Sequence, residues 1–191
     1  FENTVISNTY NGNKWDVYNN TSLAGQYDAK APIPNWSNIE LHKTGFIGSA
    51  AAGSQYGVIN GHGSGPIAQS LNGRLRGGKI YRFRFAYALR PDKGFQSIQV
   101  SWDGAIIESI EGTPPAGATG LTWKYYEYYL TAHLSGGGGI GFVPTPNQYG
   151  EPANAGFVDD ISVVELKCPN IACADGSDND TDGFVDYPAD A

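Results

Sequence analysis

Two groups of residues in this chain have the types and spacing for chemistry. The first is "DNDTDGFVD", where Asp178, Asp180 and Asp182 alternate, Gly183 follows, and Asp186 comes four residues after Asp182. Alternation sets the carboxylates on one side of a tight turn, the glycine permits the bend, and the backbone carbonyl of Phe184 adds an oxygen. Ca2+ selects such surroundings, since it takes about six to eight oxygen ligands. The twelfth position is Ala189 where an EF-hand carries Glu, and no helical pattern flanks the loop. The competing reading is a solvated acidic linker. A segment this small cannot order itself without a metal, a disulfide or a partner. The second group is Tyr125, Glu127 and Tyr129 from "KYYEYYLTA" with Arg82 and Arg84 from "KIYRFRFAYALR". Flat aromatic faces beside a few hydrogen-bonding groups suit the C–H surfaces and hydroxyls of a sugar. The plainer reading is a solvated face on which arginine stems cover aromatic surface.

The charge separates these groups. The chain has 191 residues and a formal net charge of −7. Residues 168–191 hold six Asp and no Lys or Arg, which leaves 12 basic and 13 acidic side chains, or −1, for residues 1–167. The body is nearly neutral, so it carries no electrostatic footprint for nucleic acid or for an anionic membrane. No apolar run reaches the roughly 18–20 residues of a membrane helix. There is no Met and no signal peptide, as expected of a processed or excised piece. The two cysteines, Cys168 and Cys173, sit close together beside the acidic segment. They read as a secreted disulfide more readily than as a cytosolic metal site; Cys173 pairing with a cysteine beyond Ala191 is the alternative.

The elements that must position the second group are strands. In "KIYRFRFAYALR", Tyr81, Phe83, Phe85, Tyr87 and Leu89 share one face, and Arg82, Arg84, Ala86 and Ala88 the other. In "KYYEYYLTA", Tyr126, Tyr128 and Leu130 oppose Tyr125, Glu127 and Tyr129. A helix cannot segregate residues with period two. "SIQVSW" places Ile98, Val100 and Trp102 in one phase, and the following "DG" predicts a hairpin into "AIIESI". "NIELHK", "YGVIN", "PIAQSL", "GIGFV" and "AGFVDDISVVEL" are further strands, and no capped amphipathic helix of three turns is present. The fold expected is all-β, a two-sheet antiparallel β-sandwich of the jelly-roll kind. Residues 1–166 form the sandwich and 167–191 an acidic calcium-binding linker. Segment 8–35, with "NTYNGNKWDVYNN" inside it, reads as a long surface loop. Trp15 within it is a ligand candidate, because no periodic pattern demands its burial.

The succession "FEN", "PNWSNIEL", "YGVING…GPIAQSL", "GGKIYRFRFAYALR", "VSWDGAIIESI", "LTWKYYEYYLTA" and "GFVDDISVVEL" resembles the galactose-binding-like β-sandwich superfamily. That group includes carbohydrate-binding modules of families four, six and twenty-two. The resemblance covers about residues 1–166. It implies a module that binds a polysaccharide or oligosaccharide and is attached to other domains of a secreted bacterial polysaccharide-degrading enzyme. It also implies a structural Ca2+ near the chain ends, held by Glu2 and Asp159, with Asp160 beside them. Against this stand a frayed Glu2 and an Asp pair with one capping carboxylate and one exposed neighbour. Trp36 and Trp123 correspond to residues that pack at the core edge. The tail is similar to the aspartate-rich calcium repeats of thrombospondin type 3 and of bacterial secreted linkers.

Other motifs point elsewhere with less support. "GHGSG" lacks the Lys and the helix of a phosphate loop, and His42, His62 and His133 lack ligand spacing. Glu108, Glu111 and Glu127 are not paired by spacing as glycosidase carboxylates. The reading is therefore a non-catalytic binding module. The alternatives are a polysaccharide lyase or hydrolase on the same scaffold, with Tyr and Arg as reacting groups in the lyase, and a cell-surface adhesion module.

Overall fold

The computed structural model describes residues 9–10, 13–18, 36–37, 39–45, 47–59, 66–136, 138–145 and 155–166. They contain twelve strands and no helix: β1 (Thr9–Tyr10), β2 (Asn13–Tyr18), β3 (Trp36–Ser37), β4 (Ile39–Lys43), β5 (Gln55–Val58), β6 (Ile67–Ser70), β7 (Ile80–Ala88), β8 (Gln96–Trp102), β9 (Ala105–Gly112), β10 (Lys124–Thr131), β11 (Gly139–Pro144) and β12 (Phe157–Glu165).

Period-two sequence becomes a two-sheet sandwich. One sheet has the order β1-β2-β4-β5-β12-β7-β10, the other β3-β6-β11-β8-β9. Every pairing is antiparallel. The expected all-β, two-sheet antiparallel architecture is what the chain adopts. Where "DG" predicts a turn, Trp102 pairs with Ala105, and Asp103 and Gly104 both take positive φ, 50° and 80°. Two left-handed residues match the twist of the strands they join, which is why Asp-Gly works here.

The inward phases interlock. Tyr81, Phe83, Phe85 and Tyr87 of β7 pack with Ile98, Val100 and Trp102 of β8 and with Ile140 and Phe142 of β11. The Phe85 ring meets Phe142 edge-on at 5.0 Å and stacks on Tyr126 at 5.3 Å. Each such burial stabilises by ~1.5–3 kcal/mol, and ring geometry adds ~0.5–1.5 kcal/mol per pair. Trp102 is buried in this core as its phase predicts, its indole N–H donating to the Thr131 carbonyl. The buried Tyr87 hydroxyl donates to the Ala155 carbonyl, and burial drives its pKa upward, so it remains a neutral donor.

Segment 8–35 differs from expectation. It contains β1 and β2, whose Tyr10 and Asn13 pair across Asn11-Gly12, and β2 continues the larger sheet by pairing with β4. Asn-Gly between short strands is the strongest hairpin signal a sequence offers, and here it outranks the polar composition. Trp15 consequently stands in a strand opposite His42, so the surface-loop rationale for it fails.

Candidate functional site

The outward face of the larger sheet is built by β7, β10 and β12. Tyr125 pairs with Ala86, Glu127 with Arg84 and Tyr129 with Arg82, while Asp159 also pairs with Ala86 and Ser162 with Arg84. Register alone therefore brings five sequence candidates onto one surface. Their phase is as read: Tyr125, Glu127 and Tyr129 are exposed, whereas Tyr126, Tyr128 and Leu130 pack on the core.

The five interact closely. The Arg84 guanidinium lies 4.3 Å from the centroid of the Tyr125 ring, and its Nη2 lies 3.7 Å from Asp160 Oδ2. Arg82 Nε is 4.0 Å from Glu127 Oε2 and has no hydrogen-bond partner among the described residues. The Tyr129 hydroxyl donates to Glu127 Oε1 at 2.8 Å, and this bond, with partial desolvation and the carboxylate charge, raises the Tyr129 pKa. The surface thus holds two arginines balanced by two carboxylates, with two tyrosines each about half exposed. It offers aromatic faces, donors and acceptors without net charge, which suits a neutral hydroxyl-rich ligand.

The other end of the same outward face is closed. Residues 47–54 fold over it, and Tyr56, Val58 and Phe157 form a second buried cluster with Ile47, Ala50, Leu121 and Trp123. The Tyr56 ring meets Phe157 at 5.1 Å and Trp123 at 5.9 Å, both edge-on. The Trp123 indole N–H donates to the Ser49 carbonyl at 2.8 Å. Trp123 packs at a core edge as expected, although the core is this outer one.

Asp159 stands at the boundary between the two ends. Its carboxylate is buried, and Oδ2 accepts the backbone N–H groups of Ala51 at 2.8 Å and Ala52 at 3.0 Å. A β-bulge follows, in which Asp160 takes φ +46° and turns toward Arg84. The adjacent aspartates therefore have separate roles, one capping the covering loop and one balancing an arginine. Among the described residues no three His, Cys, Asp or Glu side chains gather as a metal site. A buried carboxylate such as Asp159 suits a calcium ligand. Asp160, paired with a guanidinium, does not. Glu2, Asp178, Asp180, Asp182, Phe184, Asp186, Cys168, Cys173, His62 and the side chains of Trp15 and Trp36 lie outside the described residues.

The sequence offered a capping carboxylate in the Asp pair as the reading opposed to calcium, but it did not show which loop the carboxylate holds. These contacts span 107 and 108 residues and leave no local signature.

No family model matches the chain, and no curated protein matches it. Solved structures do. The CBM22-1 xylan-binding domain of Xyn10C from Paenibacillus barcinonensis is 10% identical, with a TM-score of 0.51 over 73% of this chain and 90% of that one. A family 35 carbohydrate-binding module from Clostridium thermocellum is 18% identical, with a TM-score of 0.44 over 67% and 88%. A Stig cyclase from Fischerella sp. TAU is 12% identical, with a TM-score of 0.44 over 81% and 84%. At these identities the likeness is one of fold, and the fold this chain shares is the β-sandwich of a xylan-binding domain.

Proposed function

We propose that this domain is a non-catalytic carbohydrate-binding module that holds a secreted bacterial polysaccharide-degrading enzyme on its polymer. The observation that carries the reading is the open face itself. Tyr125 and Tyr129 stand half exposed beside Arg82, Arg84 and Glu127, on strands whose opposite phase is locked in the core. Fold likeness to the xylan-binding domain supports the same reading and makes xylan the first polymer to try. The polymer lies across Tyr125 and Tyr129, with its hydroxyls met by Glu127 and the arginines. The test is affinity electrophoresis against xylan and a panel of plant and algal polysaccharides. Retardation without product, weakened by Tyr125→Ala and Tyr129→Ala, is the expected result. Release of reducing or unsaturated ends would replace the module by an enzyme, and no retardation on any glycan would favour adhesion to a protein.

Calcium belongs to the same proposal. Glu2 and Asp159 hold one ion, and Asp178, Asp180, Asp182, Asp186 and the Phe184 carbonyl hold another in the linker. Support comes from the buried Asp159 carboxylate and from the aspartate spacing. A metal bound only by the folded state raises the melting temperature by mass action. Melts with calcium and with chelator should differ by several degrees, and coincident melts would remove both ions.

A further inference from the structure

A cavity of about 350 Å³ opens on the opposite side of β10 from the tyrosine face. It lies between β9 and β10, the edge strands of the two sheets. Nearer the centre the Tyr128 hydroxyl closes this edge by donating to Glu108 Oε2 at 3.3 Å. Beyond that bond Leu89, Ile110 and Tyr126, all packed on the main core, become cavity wall. Pro114 and Pro115 of the β9–β10 loop are further wall, and Lys124 and Glu111 are its charged members, one from each sheet.

The lining decides the ligand class. The lining is mainly apolar, and its proline, aliphatic and aromatic walls accept a flat apolar ring better than a sugar, whose hydroxyls point outward all round its rim. Lys124 Nζ sits 4.8 Å from the Tyr126 ring centroid and makes no ion pair among the described residues. An ammonium so placed on an apolar wall is complementary to one anionic group. Glu111 also makes no ion pair among the described residues and opposes a second negative charge in the same cavity.

We propose that this cavity binds a single-ring aromatic monocarboxylate, its ring against Pro114 and Tyr126 and its carboxylate on Lys124. The site is separate from the tyrosine face, because Lys124 and Tyr126 belong to the inward phase of β10.

The probes are benzoate, benzamide and terephthalate, titrated into the whole chain and followed by amide NMR shifts. Benzoate should shift the resonances of residues 110–126 saturably. Benzamide should bind roughly tenfold more weakly or not at all, since it cannot replace a charge-assisted contact. Terephthalate should be rejected by the native chain and accepted by Glu111→Gln. Lys124→Gln should weaken benzoate by about tenfold with an unchanged melt, while Tyr125→Ala leaves benzoate binding intact. Ala118→Leu, which fills the cavity, should abolish binding. Equal affinity for benzoate and benzamide, or benzoate binding insensitive to Lys124→Gln, would overturn the proposal. So would the absence of any saturable shift.

Discussion

The two ends of the outward face of the larger sheet start from similar materials and finish differently. At one end Tyr56, Phe157 and Trp123 are packed edge to face beneath residues 47–54. At the other, Tyr125 and Tyr129 of β10 remain half exposed among paired charges. Trp123, just before β10, and Tyr125, its second residue, are only two positions apart, so place in the sequence does not separate them. The difference is the covering loop and the Asp159 carboxylate that accepts two of its amides. An outward aromatic becomes core where a loop is pinned over it and stays exposed where none is.

The comparison breaks most severely at Asp159. Asp159→Ala leaves two amide donors without their carboxylate and should cost about 3 kcal/mol, a fall of roughly 6–12 °C for a domain of this size. Melts in chelator isolate the loop's share from any contributed by calcium. An unchanged melt there would mean the loop is held by something else. Trp123→Ala should cost about 2 kcal/mol, because the ring is only partly buried. Tyr125→Ala, two residues further on, should cost less than about 0.5 kcal/mol while weakening polysaccharide retardation. Equal losses at Trp123 and Tyr125 would erase the distinction between the ends.

The smallest effect concerns protonation. The hydrogen bond to Glu127 raises the Tyr129 pKa above its ordinary value of 10.0. A raised folded-state value means that the contribution to stability is fully present below about pH 10. It is lost as pH rises through the folded-state pKa. Glu127→Gln should move the Tyr129 titration, followed by ultraviolet absorbance, back toward 10.0 with little change in the melt at pH 7. No movement would show that Glu127 does not govern the phenol.

Much of this was legible because period two is a local signal. The alternation in "IYRFRFAYA" and "KYYEYYLT" assigns each side chain to a face before any pairing is known; burial alternates with it in β10 from Tyr125 and in β7 as far as Phe85, after which Ala86 and Ala88 are buried on the outward phase as well. The convergence of Arg82, Arg84, Tyr125, Glu127 and Tyr129 needed only that these two strands be neighbours. Asp159 and Asp160 were harder, because a one-residue bulge between Asp159 and Ser162 breaks the alternation there. The Trp15 segment misled for another reason: its asparagines and tyrosines suggest a loop, while β1 and β2 on either side of the Asn-Gly signal pair antiparallel. The cavity beside Lys124 left no trace in the sequence, since its walls come from both sheets and the loop between them.

Strand β10 ends the larger sheet and has two independent clients. Tyr126, Tyr128 and Leu130 answer to the sandwich, while Tyr125, Glu127 and Tyr129 answer to solvent. Substitutions at the three solvent-facing positions therefore leave the inward packing untouched as long as strand propensity is kept, with Glu127 and Tyr129 varied together because they share a hydrogen bond. A single eight-residue segment thus separates what the sandwich requires from what its outer surface displays.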